Sequence, residues 1–361
     1  MLYFLAPLKD IHIFFNLFRY ITFRAACASI MAFFICIWIA PRMIRWLARI
    51  NVIANQQREH ADSIHAFYAH KKKVPTMGGL LIVISVTVSV LLWANLTNRF
   101  VWMLLFVVLS FGAVGFIDDW LKLKSQSCRG LKSQTKFIGQ VLLGMMLGVY
   151  LYLDPNFDKW LYLPFLKQGT FYLGFFFIPF VVLVLVGSSN ALNLTDGLDG
   201  LAIGCTIFTA TALAIVAYLV GRADFTSYLS IPYIVGAGEV TVVAAALIGA
   251  SAGFLWFNCF PADVVMGDTG SLPLGGLLGA MAILIKKEAL LVIAGGIFVW
   301  EALSVILQVL SFKLFRKRIF LMSPFHHHLQ LKGWPESKVT VRLWIIALLL
   351  AVLSLSTLKV Q

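Results

Sequence analysis

The chain has 361 residues, 60% of them hydrophobic and only 12% charged, with a net charge of +13 and a mean hydropathy of +0.90. That composition excludes a soluble globular enzyme, because apolar runs of about twenty residues, the length a hydrocarbon core requires, recur throughout. The basic excess suits loops on the cytoplasmic side of a bilayer, and nucleic acid is not expected as a partner. Cys27, Cys36, Cys128, Cys205 and Cys259 are scattered without a C-x-x-C pair, so neither a disulfide frame nor a zinc site is indicated.

The fold class expected is all-α, a polytopic integral membrane protein forming one transmembrane domain over residues 1–361. Residues 1–23, mixed aromatic and polar, are expected to lie at the membrane interface. The first apolar run has no basic leader or small-residue cleavage site and is expected to remain in the chain. Ten spans follow, near 24–46, 76–94, 100–117, 137–153, 171–187, 198–220, 240–257, 272–285, 289–312 and 341–358. The eighth is short and is expected to tilt into the bundle or to cross only in part.

Most of the 29 basic residues fall in the loops after spans 1, 3 and 9 with their flanks. The positive-inside bias puts these loops in the cytoplasm and both termini outside. Strict alternation then brings the loops after spans 5 and 7 to the same face, although they carry no Lys or Arg. All the acidic motifs therefore share one membrane face with a histidine run and the lysines.

Asp118 and Asp119 close span 3 in GFIDDWLKLK. A solvated helix end with Asp118 paired to Lys122 is one reading, but two carboxylates at a helix C-terminus oppose its dipole. Adjacent residues diverge by about 100° around a helix, which favours two distinct roles over joint chelation. Asp196 and Asp199, in NALNLTDGLDG, open span 6 and could simply cap it. Asn190, Asn193 and Thr195 just before them, and two glycines that let a ligand near the backbone, argue for a site. Asp268 in MGDTGS precedes span 8, and Asn258 shares its loop. His326, His327 and His328 cannot all aim at one ion, and substrate contact is preferred to zinc. On span 9, Glu301, Ser304, Gln308 and Ser311 share a face. Interhelical hydrogen bonding suits most of them, with Gln308 the candidate for ligand contact. Lys71–Lys73 could be a lipid-headgroup patch or a phosphate clamp.

Five carboxylates and a basic rim on one face suit metal-assisted phosphoryl chemistry, for which Mg²⁺ with oxygen ligands is the expected cofactor. A site at the bilayer edge makes sense where one substrate is soluble and the other is a lipid.

GFIDDWLKL, NALNLTDGLDGLA, WFNCFPADVVMGDTGSLPLGG, SPFHHHLQLKGWPE and PTMGG at 75–79 resemble the motifs of bacterial phospho-N-acetylmuramoyl-pentapeptide transferases. These belong to the polyprenyl-phosphate N-acetylhexosamine-1-phosphate transferases. The resemblance spans nearly the whole chain. It implies Mg²⁺-dependent transfer of phospho-MurNAc-pentapeptide from UDP-MurNAc-pentapeptide to undecaprenyl phosphate, giving lipid I and UMP in peptidoglycan synthesis. It implies a bacterial cytoplasmic (inner) membrane location with the active site on the cytoplasmic face, and nucleoside antibiotics as inhibitors; a homodimer is left open. Asp268 would be the metal ligand, with Asp118 and Asp119 handling the lipid phosphate or the metal. Asn190, Asn193, Asp196, Asp199 and Asn258 would line the nucleotide region. Lys71, Thr76, Gln308, His326, His327 and His328 would complete the substrate surroundings. Gln330 stands where Glu is expected in the histidine motif. The alternatives are a polyprenyl-phosphate GlcNAc-1-phosphate transferase, against which the histidine motif argues, and an ion-coupled transporter, in which carboxylates nearer mid-span are expected.

Overall fold

The computed structural model describes residues 1–10, 12–49, 74–124, 130–163 and 171–359. Lys71, with Lys72 and Lys73, lies outside the described residues. All ten segments expected to span are helical. They are α1 (Ile21–Arg49), α2 (Gly79–Trp93), α3 (Arg99–Lys124), α4 (Ser133–Leu153), α5 (Phe177–Thr195) and α6 (Leu201–Val220), then, after the short α7 (Ala223–Leu229), α8 (Gly238–Asn258) and α9 (Asp268–Leu284). The ninth segment is broken at Gly295 into α10 (Glu288–Ala294) and α11 (Gly296–Phe315). The histidines lie on α12 (Phe325–Leu331), and α13 (Glu336–Ser356) ends the bundle. Eight helices among the described residues are long and apolar enough to cross a membrane, and α2 and α9 are shorter apolar helices. A small antiparallel pair, β1 (Trp160–Leu161) with β2 (Phe171–Tyr172), joins α4 to α5.

The eighth span is the centre of the bundle. Every residue of α9 from Thr269 to Leu284 is buried. Small residues make this possible, because they let helix backbones approach closely. A side chain at Gly79 would strike the backbone of Gly270, one at Gly115 the Asp268 carbonyl, and one at Gly275 the Ser188 carbonyl. α2, α3 and α5 therefore pack on α9 almost backbone to backbone. On the other side, Ala25, Ala28, Ala32, Cys36 and Ala40 recur every three or four residues on α1. They face α8, where Gly249 meets the Ser29 carbonyl and Gly253 meets Phe33.

The chain turns are fixed by specific polar contacts. Asn98 caps α3, its side-chain oxygen accepting from Phe100 N–H at 2.8 Å while its amide donates to the Gly236 carbonyl at 2.8 Å. At the same end of the bundle the Arg24 guanidinium donates to both carboxylate oxygens of Glu239, at 2.7 and 2.5 Å, with both side chains buried. Glu239 also accepts from Asn95 N–H at 2.9 Å, so it ties α1 and α8 to the end of α2. Nineteen residues of α8 separate Glu239 from Asn258, roughly 28 Å at 1.5 Å per residue. This ion pair and the acidic motifs thus occupy opposite ends of the bundle.

Removing one member of such a pair leaves a buried charge unmatched, at a cost of about 3–5 kcal/mol, whereas replacing both with apolar groups is far cheaper. Arg24→Met is expected to lower the apparent Tm in detergent markedly, and Arg24→Met/Glu239→Leu to restore part of the loss. A double variant no more stable than the single would show that the pair contributes little.

Candidate active site

The end of α3 and the start of α9 bring Asp118, Asp119 and Asp268 together, with one ligand atom from each within 4.8 Å of the others. Gly267, at φ +71, makes this approach possible, since a side chain there would meet Asp119 Oδ2 and Thr76 Oγ1. Each carboxylate is held by its own partners. Asp119 Oδ2 accepts from Thr269 N–H at 2.9 Å and from its hydroxyl at 2.8 Å. Asp118 Oδ1 accepts from Leu131 N–H at 2.8 Å. Asp268 Oδ1 accepts from the Asn193 amide at 2.7 Å, and the same amide donates to Ser271 Oγ at 3.0 Å.

Divergence around the helix, which favoured separate roles for Asp118 and Asp119, does not keep them apart. The terminal turn of α3 crosses α9 so closely that both side chains reach the same point. Two unit charges 4 Å apart repel by about 4 kcal/mol at an effective dielectric of 20, so three carboxylates here require cations. Lys122 Nζ supplies one, at 2.6 Å from Asp118, 3.2 Å from Asp119 and 3.1 Å from Asp268. Lys136 Nζ, from α4, supplies another at 2.5 Å from Asp268 Oδ2. Two ammonium groups offset two of the three negative charges. The residual charge and the all-oxygen donor set fit a hard divalent cation such as Mg²⁺. Among the described residues this is the one group of His, Cys, Asp and Glu arranged to hold a metal, and it includes no histidine.

The loop between α5 and α6 packs against the same turn. Neither Asp196 nor Asp199 caps α6. The helix is entered through Gly200 at φ +76, with the Asp196 carboxylate lying near the Gly267 backbone. Burial pushes the Asp196 carboxyl up to about 8, and the charges of Asp268, Asp119 and Asp199 push it in the same direction. Asp199 Oδ2 accepts from Ala262 N–H at 3.2 Å, and its own N–H donates to Glu336 at 2.9 Å. Asn258 bridges two loops, accepting from Gly200 N–H at 3.1 Å and donating to the Val264 carbonyl at 2.8 Å. Thr76 lies beside Gly267, in a segment whose Pro75 carbonyl accepts from Val265 N–H at 2.9 Å.

The remaining candidates stand further from the carboxylates. Asn190 donates to Gln140 on α4 at 2.7 Å, inside the bundle. The Gln308 amide donates to the Phe320 carbonyl at 2.9 Å and accepts from Ile319 and Phe320 N–H, so it clamps the turn that precedes the histidines. The His326 and His327 rings lie against each other, centroids 4.2 Å apart, while His328 packs on Phe320 and Phe325. His326 is fully buried, with Nδ1 3.2 Å from Glu301 Oε2, and His327 meets Gln330 at 2.8 Å. His328 accepts from Leu321 N–H at 3.1 Å, with burial and then Lys332 holding its pKa below the usual imidazole value. Gln330, the departure from the expected motif, is thus the partner of His327.

Several residues of the site were not singled out as such from the sequence: Lys122, Lys136, Thr269, Ser271 and Glu336. Lys122 had a signal in its i, i+4 spacing from Asp118. The others depend on contacts between helices that no local pattern encodes.

Residues 101–286, which include Asp118, Asp119, Asp196, Asp199 and Asp268, match the family described as glycosyl transferase family 4. Over 362 residues the chain is 49% identical to the phospho-N-acetylmuramoyl-pentapeptide-transferase of Desulforapulum autotrophicum, covering 100% of both chains. The chain belongs to the phospho-N-acetylmuramoyl-pentapeptide transferase family. The proteins of that name from Desulfovibrio desulfuricans and Methylacidiphilum infernorum are each 49% identical to it, over 359 and 353 residues, with 99% and 96% of both chains covered. The chain is accordingly a multi-pass membrane phosphotransferase of peptidoglycan synthesis.

The raised Asp196 pKa has a definite sign. The folded protein holds this proton up to about pH 8 while the unfolded chain releases it near pH 3.8, so stability from this group is lost as pH rises between those values. In metal-free protein, Asp196→Asn is expected to raise the apparent Tm more at pH 8 than at pH 5. An equal change at both would show that the group is already ionised.

Proposed function

We propose that the chain transfers phospho-MurNAc-pentapeptide from UDP-MurNAc-pentapeptide to undecaprenyl phosphate, forming lipid I and UMP, with Mg²⁺ held by Asp268 together with Asp118 and Asp119. The observation that carries the reading is the convergence of these three carboxylates within 4.8 Å at one end of an apolar bundle. The positive-inside bias supports placing this end at the cytoplasmic face of the inner membrane, with both termini outside.

The acceptor's phosphate oxygen forms a new bond to the sugar-bearing phosphorus, and UMP leaves. Mg²⁺, when bound, neutralises charge on the diphosphate and on the departing phosphate. The chain's own contribution is orientation. Thr269, the Leu131 backbone and Asn193 set the three carboxylates before any substrate arrives. Lys122 and Lys136 hold positive charge where phosphate oxygens must come. Asp196, Asp199 and Asn258 stiffen the neighbouring loops, which would receive the nucleotide. Lys71, Thr76, Asn190, Gln308 and the three histidines belong to the surroundings of the substrates in this reading.

A cavity of about 470 Å³ between α5, α9, α10 and α11 supports a lipid acceptor. Its lining is almost wholly apolar, including Leu183, Leu291, Phe298 and Leu303, and it reaches Ala191, two residues before Asn193. A polyprenyl tail lying there would leave its phosphate near the carboxylates.

Asp118 acts as a positioning group rather than a base. A phosphate monoester has a second pKa of about 6, so near neutrality it is largely a dianion already able to attack. Asp118→Asn is therefore expected to lower kcat across the whole pH range, and recovery of rate at high pH would show that the aspartate serves as a base. The substrate assignment is checked by incubating purified protein with undecaprenyl phosphate and either UDP-MurNAc-pentapeptide or UDP-GlcNAc. UMP release is expected with the first alone, and it should stop in excess chelator.

A further inference from the structure

Glu301 is a carboxylate sealed inside the bundle. It lies on α11, is 0% exposed, and has one oxygen without a hydrogen-bond partner among the described residues. A buried acid within a spanning helix is costly and is retained where it serves a purpose. Its contact is His326, equally buried, whose Nδ1 is 3.2 Å from Glu301 Oε2 and whose backbone N–H donates to the same oxygen at 3.4 Å. The far edge of the imidazole rests on Gly197, where any Cβ would collide with Nε2. Gly197 adjoins Asp196, whose N–H donates to the Asn193 carbonyl at 3.2 Å, and the Asn193 amide donates to Asp268 Oδ1 at 2.7 Å. A chain of contacts thus links the sealed acid to the metal-holding carboxylate.

We infer that Glu301 is a positioning residue for the metal site: through His326 and Gly197 it backs the turn that ends α5, whose Asn193 amide seats Asp268. The inference rests on the metal-site reading above. Glu301 itself touches neither substrate nor metal. Its carboxylate accepts from the His326 backbone N–H and lies beside the ring, whose nitrogens have no hydrogen-bond partner among the described residues, so it anchors the start of α12 and keeps the ring against Gly197. The glycine is required because the ring occupies the space that a methyl group would need. Without the anchor the start of α12 shifts with the ring, the 196–200 loop loses its backing, and the Asp268 carboxylate loses its fixed direction.

The test is direct metal binding. Mn²⁺ is titrated into full-length protein in detergent and followed by electron paramagnetic resonance, with Asp268→Asn as the reference that removes the proposed ligand. Glu301→Leu and Gly197→Ala, which disturb the ring from opposite sides, are expected to weaken Mn²⁺ binding by about tenfold or more, the scale typical of outer partners of metal ligands. Glu301→Gln keeps an acceptor oxygen and is expected to bind close to the parent. In turnover assays the same two disruptive variants should regain most of their kcat at saturating metal, a split that general loss of folded protein would not produce. Parent-like Mn²⁺ affinity in Glu301→Leu and Gly197→Ala overturns the inference, and if Glu301→Leu does not fold, Gly197→Ala alone decides. Unchanged Mn²⁺ binding in Asp268→Asn overturns the metal-site reading instead.

Discussion

Mutual repulsion among three carboxylates, held together by the surrounding fold, is the constraint on which the rest of the structure depends. Left alone, Asp118, Asp119 and Asp268 would separate into solvent. They stay within 4.8 Å because α3 and α9 touch at Gly115 and Gly267, and because Lys122 and Lys136 share the space. The backbone and hydroxyl of Thr269, the Leu131 amide and the Asn193 amide then assign each oxygen a direction. Energy from packing a large apolar bundle is thereby used to keep a small polar cluster in an unfavourable arrangement. Such an arrangement favours a divalent cation and a phosphate ligand over water.

The neighbouring loops extend the same principle. Asn258 joins the turn after α5 to the loop after α8, and Asp199 joins that loop to the start of α13 through Glu336. Gln308 fixes the turn leading to the histidines. Side chains of substrate-binding type thus serve partly as struts.

What the sequence revealed followed from the physics each feature obeys. Ten apolar runs were legible because the bilayer imposes length and composition together, and alternating the expected crossings was enough to bring Asp118, Asp196 and Asp268 to one face. The break at Gly295 was not legible, since the pair Gly295–Gly296 reads equally well as close packing. The position of α9 was legible in part. Its shortness suggested a helix tilted into the bundle or crossing in part, and every residue from Thr269 to Leu284 is buried there. Asp196 and Asp199 resembled helix caps, and only tertiary contact shows Asp196 turned toward Gly267. Lys136 counted toward membrane orientation, but its approach to Asp268 spans 132 residues and leaves no local trace.

The burial of α9 carries a consequence for how the membrane can influence this protein. A helix enclosed on every side by protein does not sense bilayer thickness or fatty-acid composition directly. Changes in the surrounding lipid bear first on the outer helices and on the apolar cleft beside α5 and α11. Growth conditions that remodel the membrane should therefore alter how readily a lipid acceptor enters before they alter the placement of the helix that begins at Asp268.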